Sequence, residues 1–228
     1  MKQTKIKKTV DRLSFMILSS LLFAAAFLYS FSVLAAEDDT AWYIGTALGQ
    51  VTSDRTAADL RNELTTTGVN VTNITVDDSR IGWKLNVGFD VTSNVAIEAG
   101  YMDLNDVNVE LNAVVSDPGL FFNNAKKIHP NSADGFTLGS VYRYNITDNI
   151  DLTGSVGVFN WEGDFNTQSL NTNQTIGNDG NKGTDLYFGV GGGYQLSQDV
   201  TLSIEWEQYQ LDNDKAEMWS IGLNYHFK

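Results

Sequence analysis

The 228-residue chain has no cysteine, two prolines and few cations. Without cysteine, disulfides and thiol chemistry are excluded, although this alone does not decide between a reducing and an oxidising compartment. Two prolines leave no Pro-rich linker. The formal charge is −13, and residues 1–35 hold five Lys or Arg against one Asp, a local excess of four positive charges, so the remainder carries −17. Nucleic acid is thereby an unsuitable partner, because the phosphate backbone demands clustered cations. No metal-ligand spacing, phosphate-cradling loop or nucleotide fingerprint is present, and no cofactor is expected.

Long apolar runs are missing too, with one exception at the start. Lys2, Lys5, Lys7, Lys8 and Arg12 form a basic region, Leu13 to Leu34 an apolar one, and Val33-Leu34-Ala35 a small-residue cleavage site. Residues 1–36 are therefore expected to be a signal peptide cut after Ala35 or Ala36, leaving 37–228 as one domain. An uncleaved anchor is the alternative, since a helix of about 20 apolar residues can span a bilayer. Either reading exports the rest of the chain. No later stretch reaches 18 uninterrupted apolar residues, so any further membrane contact has to be made by strands.

What is present in quantity is alternation with period two. Eight such stretches lie between Ala41 and Phe227, each long enough for the roughly 9 to 11 residues of a tilted spanning strand. The last is the plainest: Trp219, Ile221, Leu223, Tyr225 and Phe227 share one face, and Ser220, Gly222, Asn224 and His226 the other. The opposite faces of the earlier stretches are likewise small or polar, with Gly45, Ala47, Gly88, Gly100, Thr137, Gly139, Ser155, Gly191 and Ser203 among them. A closed barrel of eight strands has room inside only for side chains, so the small polar face belongs inside and the larger aromatics belong against lipid. The expected fold is all-β, an eight-stranded antiparallel up-and-down transmembrane barrel.

The connections support this. Short links near Thr92–Asn94, Thr147–Asn149 and Ser197–Asp199 alternate with long polar ones near Gln50–Ser79, Asn105–Ala133 and Gly163–Gly183. Short turns on one rim and long loops on the other are the habit of outer-membrane barrels, with the turns facing the periplasm. The three short links repeat one pattern: Phe89-Asp-Val-Thr-Ser-Asn-Val95, Tyr144-Asn-Ile-Thr-Asp-Asn-Ile150 and Tyr194-Gln-Leu-Ser-Gln-Asp-Val200. Phe89, Tyr144 and Tyr194, with Trp42, Tyr225 and Phe227, are placed to form an aromatic girdle at the membrane boundary.

The segments Asp39-Thr-Ala-Trp-Tyr-Ile-Gly-Thr-Ala-Leu-Gly49 and Gly88 through Glu98-Ala-Gly-Tyr101 resemble the first strand and second hairpin of the OmpA-like transmembrane domain. The resemblance runs from about Trp42 to Phe227. It implies an integral outer-membrane protein of a Gram-negative bacterium with a structural, adhesive or slow solute-passing role, and without enzymatic activity. Ser220, Gly222, Tyr225 and Phe227 have the spacing that resembles the signal read by the barrel-assembly machinery, with Lys228 beyond the final aromatic. The peptidoglycan-binding domain of many relatives is not expected after Phe227. Outer-membrane lipids, lipopolysaccharide and the assembly machinery are the implied partners, and a monomer the implied state.

Lys84, Glu98, Arg143 and Glu205 point inward as a lumenal charge network, with Asp90, Asp151 and Glu207 near their strand ends. An isolated charge in a narrow lumen is badly desolvated, so pairing is required. Glu98 with Arg143 is the first pair expected, from their similar distance to neighbouring turns. Such a network either rigidifies a plug or gates a narrow pore, and these readings stay open beside a hydrophobic-ligand conduit. A lipid-modifying enzyme is the third class. Its histidines would be His226, inward at the short-turn end, and His129, in a long loop without an orienting partner.

The long loops are where an external ligand would bind. Thr56 to Thr67 has Ala57, Ala58, Leu60 and Leu64 at near-helical spacing, and suits a short helix or a solvated excursion. Leu120, Phe121 and Phe122 follow Pro118-Gly119 as an apolar tip expected to pack on its neighbours, and Asn166 to Lys182 reads as mobile.

Overall fold

The computed structural model describes residues 42–227 apart from 68, 78, 115–116, 129–131, 170–173 and 213. The expected signal peptide, its cleavage site and His129 lie outside the described residues. Ten strands and two helices follow in order: β1 (Trp42–Ser53), α1 (Ala57–Thr66), β2 (Asn70–Asp77), β3 (Arg80–Asp90), β4 (Val95–Asp103), β5 (Asn108–Val114), α2 (Pro118–Ile128), β6 (Asp134–Thr147), β7 (Ile150–Ser169), β8 (Gln174–Gln195), β9 (Val200–Leu211) and β10 (Asp214–Phe227). Eight of the strands close an antiparallel barrel in the order β1-β10-β9-β8-β7-β6-β4-β3, while β2 and β5 pair separately. Closure leaves no open edge in the bilayer, as hydrocarbon requires of a backbone that water cannot satisfy.

The barrel closes where the last strand meets the first. β10 runs against β1 in unbroken register from Trp42 opposite Phe227 to Ser53 opposite Ala216. On the outside, Leu48, Ile81, Leu138, Val156, Val190, Ile204 and Ile221 are exposed, which in a soluble protein would be untenable and in a bilayer is the requirement. The three repeated turns have a common physical cause. The hydroxyls of Thr92, Thr147 and Ser197 each accept a backbone N–H from within the turn, from Val95 at 3.0 Å, Ile150 at 3.1 Å and Asp199 at 3.4 Å respectively.

The long-loop side departs from the sequence expectation in three ways. Asn166–Ser169 and Gln174–Lys182, expected as loop, are strand: β7 and β8 stay paired from Ile150–Tyr194 to Ser169–Gln174, with one register shift at Thr167 and Gln168, so the hairpin stands well beyond the rim. The fourth connection on this side is tight, with Asp212 in the left-handed conformation (φ 60°) between β9 and β10. Loops one and two join in a folded cap that includes the β2–β5 ribbon.

The cap has its own apolar core. Leu60 and Leu64 of α1, Ile74 of β2 and Phe121 of α2 are buried together, with Ala57, Val69, Val71, Val76, Val109, Leu111 and Ala125 around them. Helix α1 starts at a capping box, in which Thr56 Oγ1 accepts from the Asp59 N–H and Asp59 Oδ2 accepts from the Thr56 N–H. The cap is tied to the barrel by Arg55, which reaches Asp214 at 2.7 Å and Glu63 at 2.8 Å. The apolar tip packs as expected, with Phe121 in the cap core and the Phe122 ring 5.5 Å from Phe165 on the β7 extension, although Leu120 stays exposed.

Candidate functional site: the lumen and its two rims

Two storeys of side chains block the barrel interior above a cavity of about 380 Å³ that opens at the short-turn rim. In the half toward the long loops, Met102, Leu104, Phe159, Trp161, Tyr187, Tyr209, Leu211 and Met218 are buried in one apolar cluster. Tyr209 lies between Phe159 and Tyr187, with ring centroids 5.3 and 5.4 Å away. The expectation of a mostly small and polar inward face, with the larger aromatics against lipid, does not hold for this half. Inward glycines make the room: a Cβ on Gly139 would stand 2.4 Å from the Tyr187 hydroxyl oxygen, and one on Gly157 2.6 Å from its ring. Aromatics and glycines alternate on the inner wall so that their volumes complement each other.

Below this plug lies the charged storey. Lys84 on β3 crosses the lumen to β9, where its Nζ donates to Glu205 and, at 2.9 Å, to Glu207. Tyr209, two residues beyond Glu207 on the same face of β9, belongs to the plug above. Glu98 accepts from the Tyr43 hydroxyl, and the Arg143 guanidinium covers the Tyr43 ring at 4.7 Å. Tyr43 is fully buried, and it fits only because position 88 is glycine, where a Cβ would be 1.9 Å from its ring.

The expected first pair, Glu98 with Arg143, gives way to Arg143 with Asp90. Register explains the exchange. Glu98 stands opposite Gly139 on β6, four residues from Arg143, which is about 13 Å along a strand. Asp90 stands opposite Ala96, and Ala96 opposite Val141, two residues from Arg143 on the same face. Glu207, read as a strand-end residue, belongs to the Lys84 layer, and Glu205 sits there as well. The His226 ring lies 5.1 Å from that of Tyr43, tilted by 35°, near the short-turn rim.

Outside, four of the six aromatics expected at the short-turn boundary meet one another. Trp42 is in register with both Phe89 and Phe227, and its ring is 4.9 Å from Phe89. Tyr225 and Phe227 meet at 5.1 Å, while Tyr144 and Tyr194 are exposed on the same wall. A second aromatic belt, which the sequence reading did not assign, encircles the long-loop end. Tyr101 lies 5.7 Å from Trp83 and 5.3 Å from Phe136, Phe188 lies 5.8 Å from Trp206, and Trp206 is in register with Trp219. Three of its polar edges are held by carboxylates: Trp83 Nε1 donates to Asp103 at 3.2 Å, Trp206 Nε1 to Glu217 at 3.3 Å, and the Tyr101 hydroxyl to Asp134. From Phe227 to Trp219 is eight residues, about 26 Å of strand, or roughly 20 Å of thickness at a tilt near 40°. That height is comparable to the apolar band of an outer-membrane barrel, about 25 Å.

The sequence over residues 21–227 matches the outer membrane protein beta-barrel domain. The chain belongs to this family. It is a multi-pass barrel of the outer membrane, and among solved structures it is similar to several of the same fold. The attachment invasion locus protein Ail of Yersinia pestis is 15% identical, with 82% of this chain and 97% of that one covered at a TM-score of 0.47. The N-terminal beta-barrel domain of Pseudomonas aeruginosa OprF is 12% identical, with coverage of 82% and 97% and a TM-score of 0.47. Neisserial surface protein A is 8% identical, with coverage of 83% and 100% and a TM-score of 0.48. No curated protein matches the chain in sequence.

Charge at the cap differs in kind from charge in the lumen. Burial works against the charge on Arg55, but its bond to Asp214 and the nearby Glu63 more than offset this and raise its pKa. Hydrogen bonds from the Thr56 hydroxyl and then its backbone hold the Asp59 carboxyl below the usual carboxylate range. Both effects favour the charged forms that pin α1 to the rim.

Proposed function

We propose that this protein is a non-enzymatic structural and surface-interaction barrel of the cell envelope, with a closed lumen and a folded external cap as its working surface. The observation that carries this reading is the filled interior: the Lys84 layer and the Tyr209 plug occupy successive levels of the lumen, beneath loops that form a cored cap. A narrow pore or hydrophobic-ligand conduit is the second reading. The cavity of about 380 Å³ favours it in part, but it lies between the short-turn rim and the Lys84 layer, and no residue of the apolar cluster lines it.

In this reading the two belts hold the barrel level in the bilayer, with outer-leaflet lipids and lipopolysaccharide around the upper one. Ser220, Gly222, Tyr225 and Phe227 serve the assembly machinery before they close β10 onto β1. The barrel acts as a monomer, and an external ligand meets the cap. The test is complementation of a deletion strain with a form whose cap segments, 56–78 and 105–132, are replaced by short turns. Restored resistance to detergents without the cap assigns the structural role to the barrel alone. Surface adhesion or ligand capture that needs the cap assigns the second role to it. If neither phenotype depends on the protein, and solute uptake does, the proposal fails.

A further inference from the structure

Closure leaves the barrel without an edge, but the cap keeps one. β2 and β5 form a sheet of two, and neither has another strand beside it among the described residues. On β5 the free edge is defined residue by residue. The Thr72 hydroxyl on β2 donates to the Asn112 carbonyl at 3.1 Å, so the backbone groups of Asn112 turn toward β2. In an antiparallel strand the N–H and C=O of one residue point to the same side and successive residues alternate, so those of Val109 and Leu111 turn away from β2. None of these four groups has a backbone partner among the described residues. Such an edge is ordinarily blunted by proline, lysine or a bulge. Asn108–Val114 holds no proline or lysine, and the irregularity of the ribbon falls on β2, between Val71 and Asn73.

The two faces of β5 specify what would lie beside it. Val109 and Leu111 are half-buried against the cap core, while Glu110 and Asn112 are exposed on the opposite face. A strand added here places alternate residues next to Val109 and Leu111, where apolar side chains extend the core. Its other residues stand next to Glu110, where a cation is favoured. Charge over the cap agrees: segments 56–78 and 105–132 hold seven Asp or Glu against three Lys or Arg, and Asp106 and Asp117, before and after β5, are exposed.

We propose that β5 binds, by strand addition, an extended segment of an external polypeptide in which apolar and basic residues alternate. The proposal rests on the cap as the working surface and names the class of its partner. The seven residues of β5 span about 23 Å, which about six to eight residues of partner would cover.

Fluorescence anisotropy of a labelled octapeptide of alternating lysine and valine, titrated with the purified protein in a neutral detergent, tests this. Binding saturates. Three changes each weaken it by about tenfold: N-methylation of the peptide amides that face β5, segregation of the same residues into a lysine block and a valine block, and Glu110→Lys in the protein. Glu110→Lys, which keeps the wild-type pattern of limited proteolysis because the side chain is exposed, now takes an octapeptide of alternating glutamate and valine. Amide exchange slows on binding at Val109 and Leu111 and is unchanged at Leu223 in the barrel wall. The proposal is overturned if binding does not saturate, if the N-methylated or segregated peptide binds as well as the parent, or if Val109 and Leu111 gain no protection. Because these measurements use a defined peptide and purified protein, any such failure leaves the deletion-strain test of the cap standing.

Discussion

Replacing Lys84 by Met removes the one ammonium that holds Glu205 and Glu207, and leaves two carboxylates side by side on β9 in a narrow lumen. The three side chains are 13%, 22% and 5% exposed, so water screens them poorly. At the 2.9 Å separation of Lys84 and Glu207, the attraction is about 6 kcal/mol for an effective dielectric near 20. Much of that is offset by desolvation, which the wild type has already incurred. Loss of one partner from such a buried group costs about 3–5 kcal/mol, because the remaining charges keep the desolvation penalty without the attraction. A triple variant, Lys84→Met with Glu205→Gln and Glu207→Gln, removes the charges together and comes within about 1 kcal/mol of wild type. Urea titration in lipid vesicles, followed by tryptophan fluorescence and gel mobility, measures both. The reasoning is refuted if Lys84→Met costs under about 1 kcal/mol, or if the triple variant is no more stable than the single one.

Other substitutions probe the remaining parts. Gly88→Val drives a side chain into the Tyr43 ring and abolishes the heat-modifiable folded band, whereas Gly154→Ala, on the lipid face with nothing within 4 Å, leaves it unchanged. Thr56→Ala removes the α1 cap bond, costs the cap about 1 kcal/mol and speeds limited proteolysis in loop one without altering the barrel's urea midpoint. The Asp59 carboxyl is depressed in the folded cap, so its contribution is fully present above the ordinary aspartate range near pH 4 and is lost as pH falls through the lower folded value. Cap proteolysis therefore accelerates in that acidic window for wild type and less so for Asp59→Asn. Brominated lipids quench Trp219 and Trp42 maximally at two different depths, set by the two belts.

Much of the barrel was legible because lipid imposes a simple rule. Every second residue from Trp219 to Phe227, and from Ile81 to Phe89, has to be apolar, and hydroxyl turn residues mark each short return. The inner aromatics were not legible in this way. Tyr43, Tyr187 and Tyr209 sit at polar-parity positions of strands that also carry aromatics outside, so alternation blurs there, and Phe159 is followed by Trp161 on the same inward face of β7. The available signal was the set of glycines at Gly88, Gly139 and Gly157, whose missing side chains make space for two of them. The first pair, Glu98 with Arg143, was misread because counting from turns assumes level strands. In a sheared barrel β6 runs past the start of β4, and Lys84 finds its partners across the lumen rather than on a neighbouring strand. The cap core was half legible: Leu60 and Leu64 showed the helix, but the β2–β5 pairing joins segments more than thirty residues apart, with no local signal.

A closed lumen is the central claim, and single-channel recording in planar bilayers addresses it most directly. The account predicts no steady openings from the folded wild-type protein, and openings once Phe159→Ala and Tyr209→Ala together remove the rings that fill the upper storey. Steady, ion-selective conductance from the wild type, changed in size by Glu98→Ala or Arg143→Ala, would contradict it.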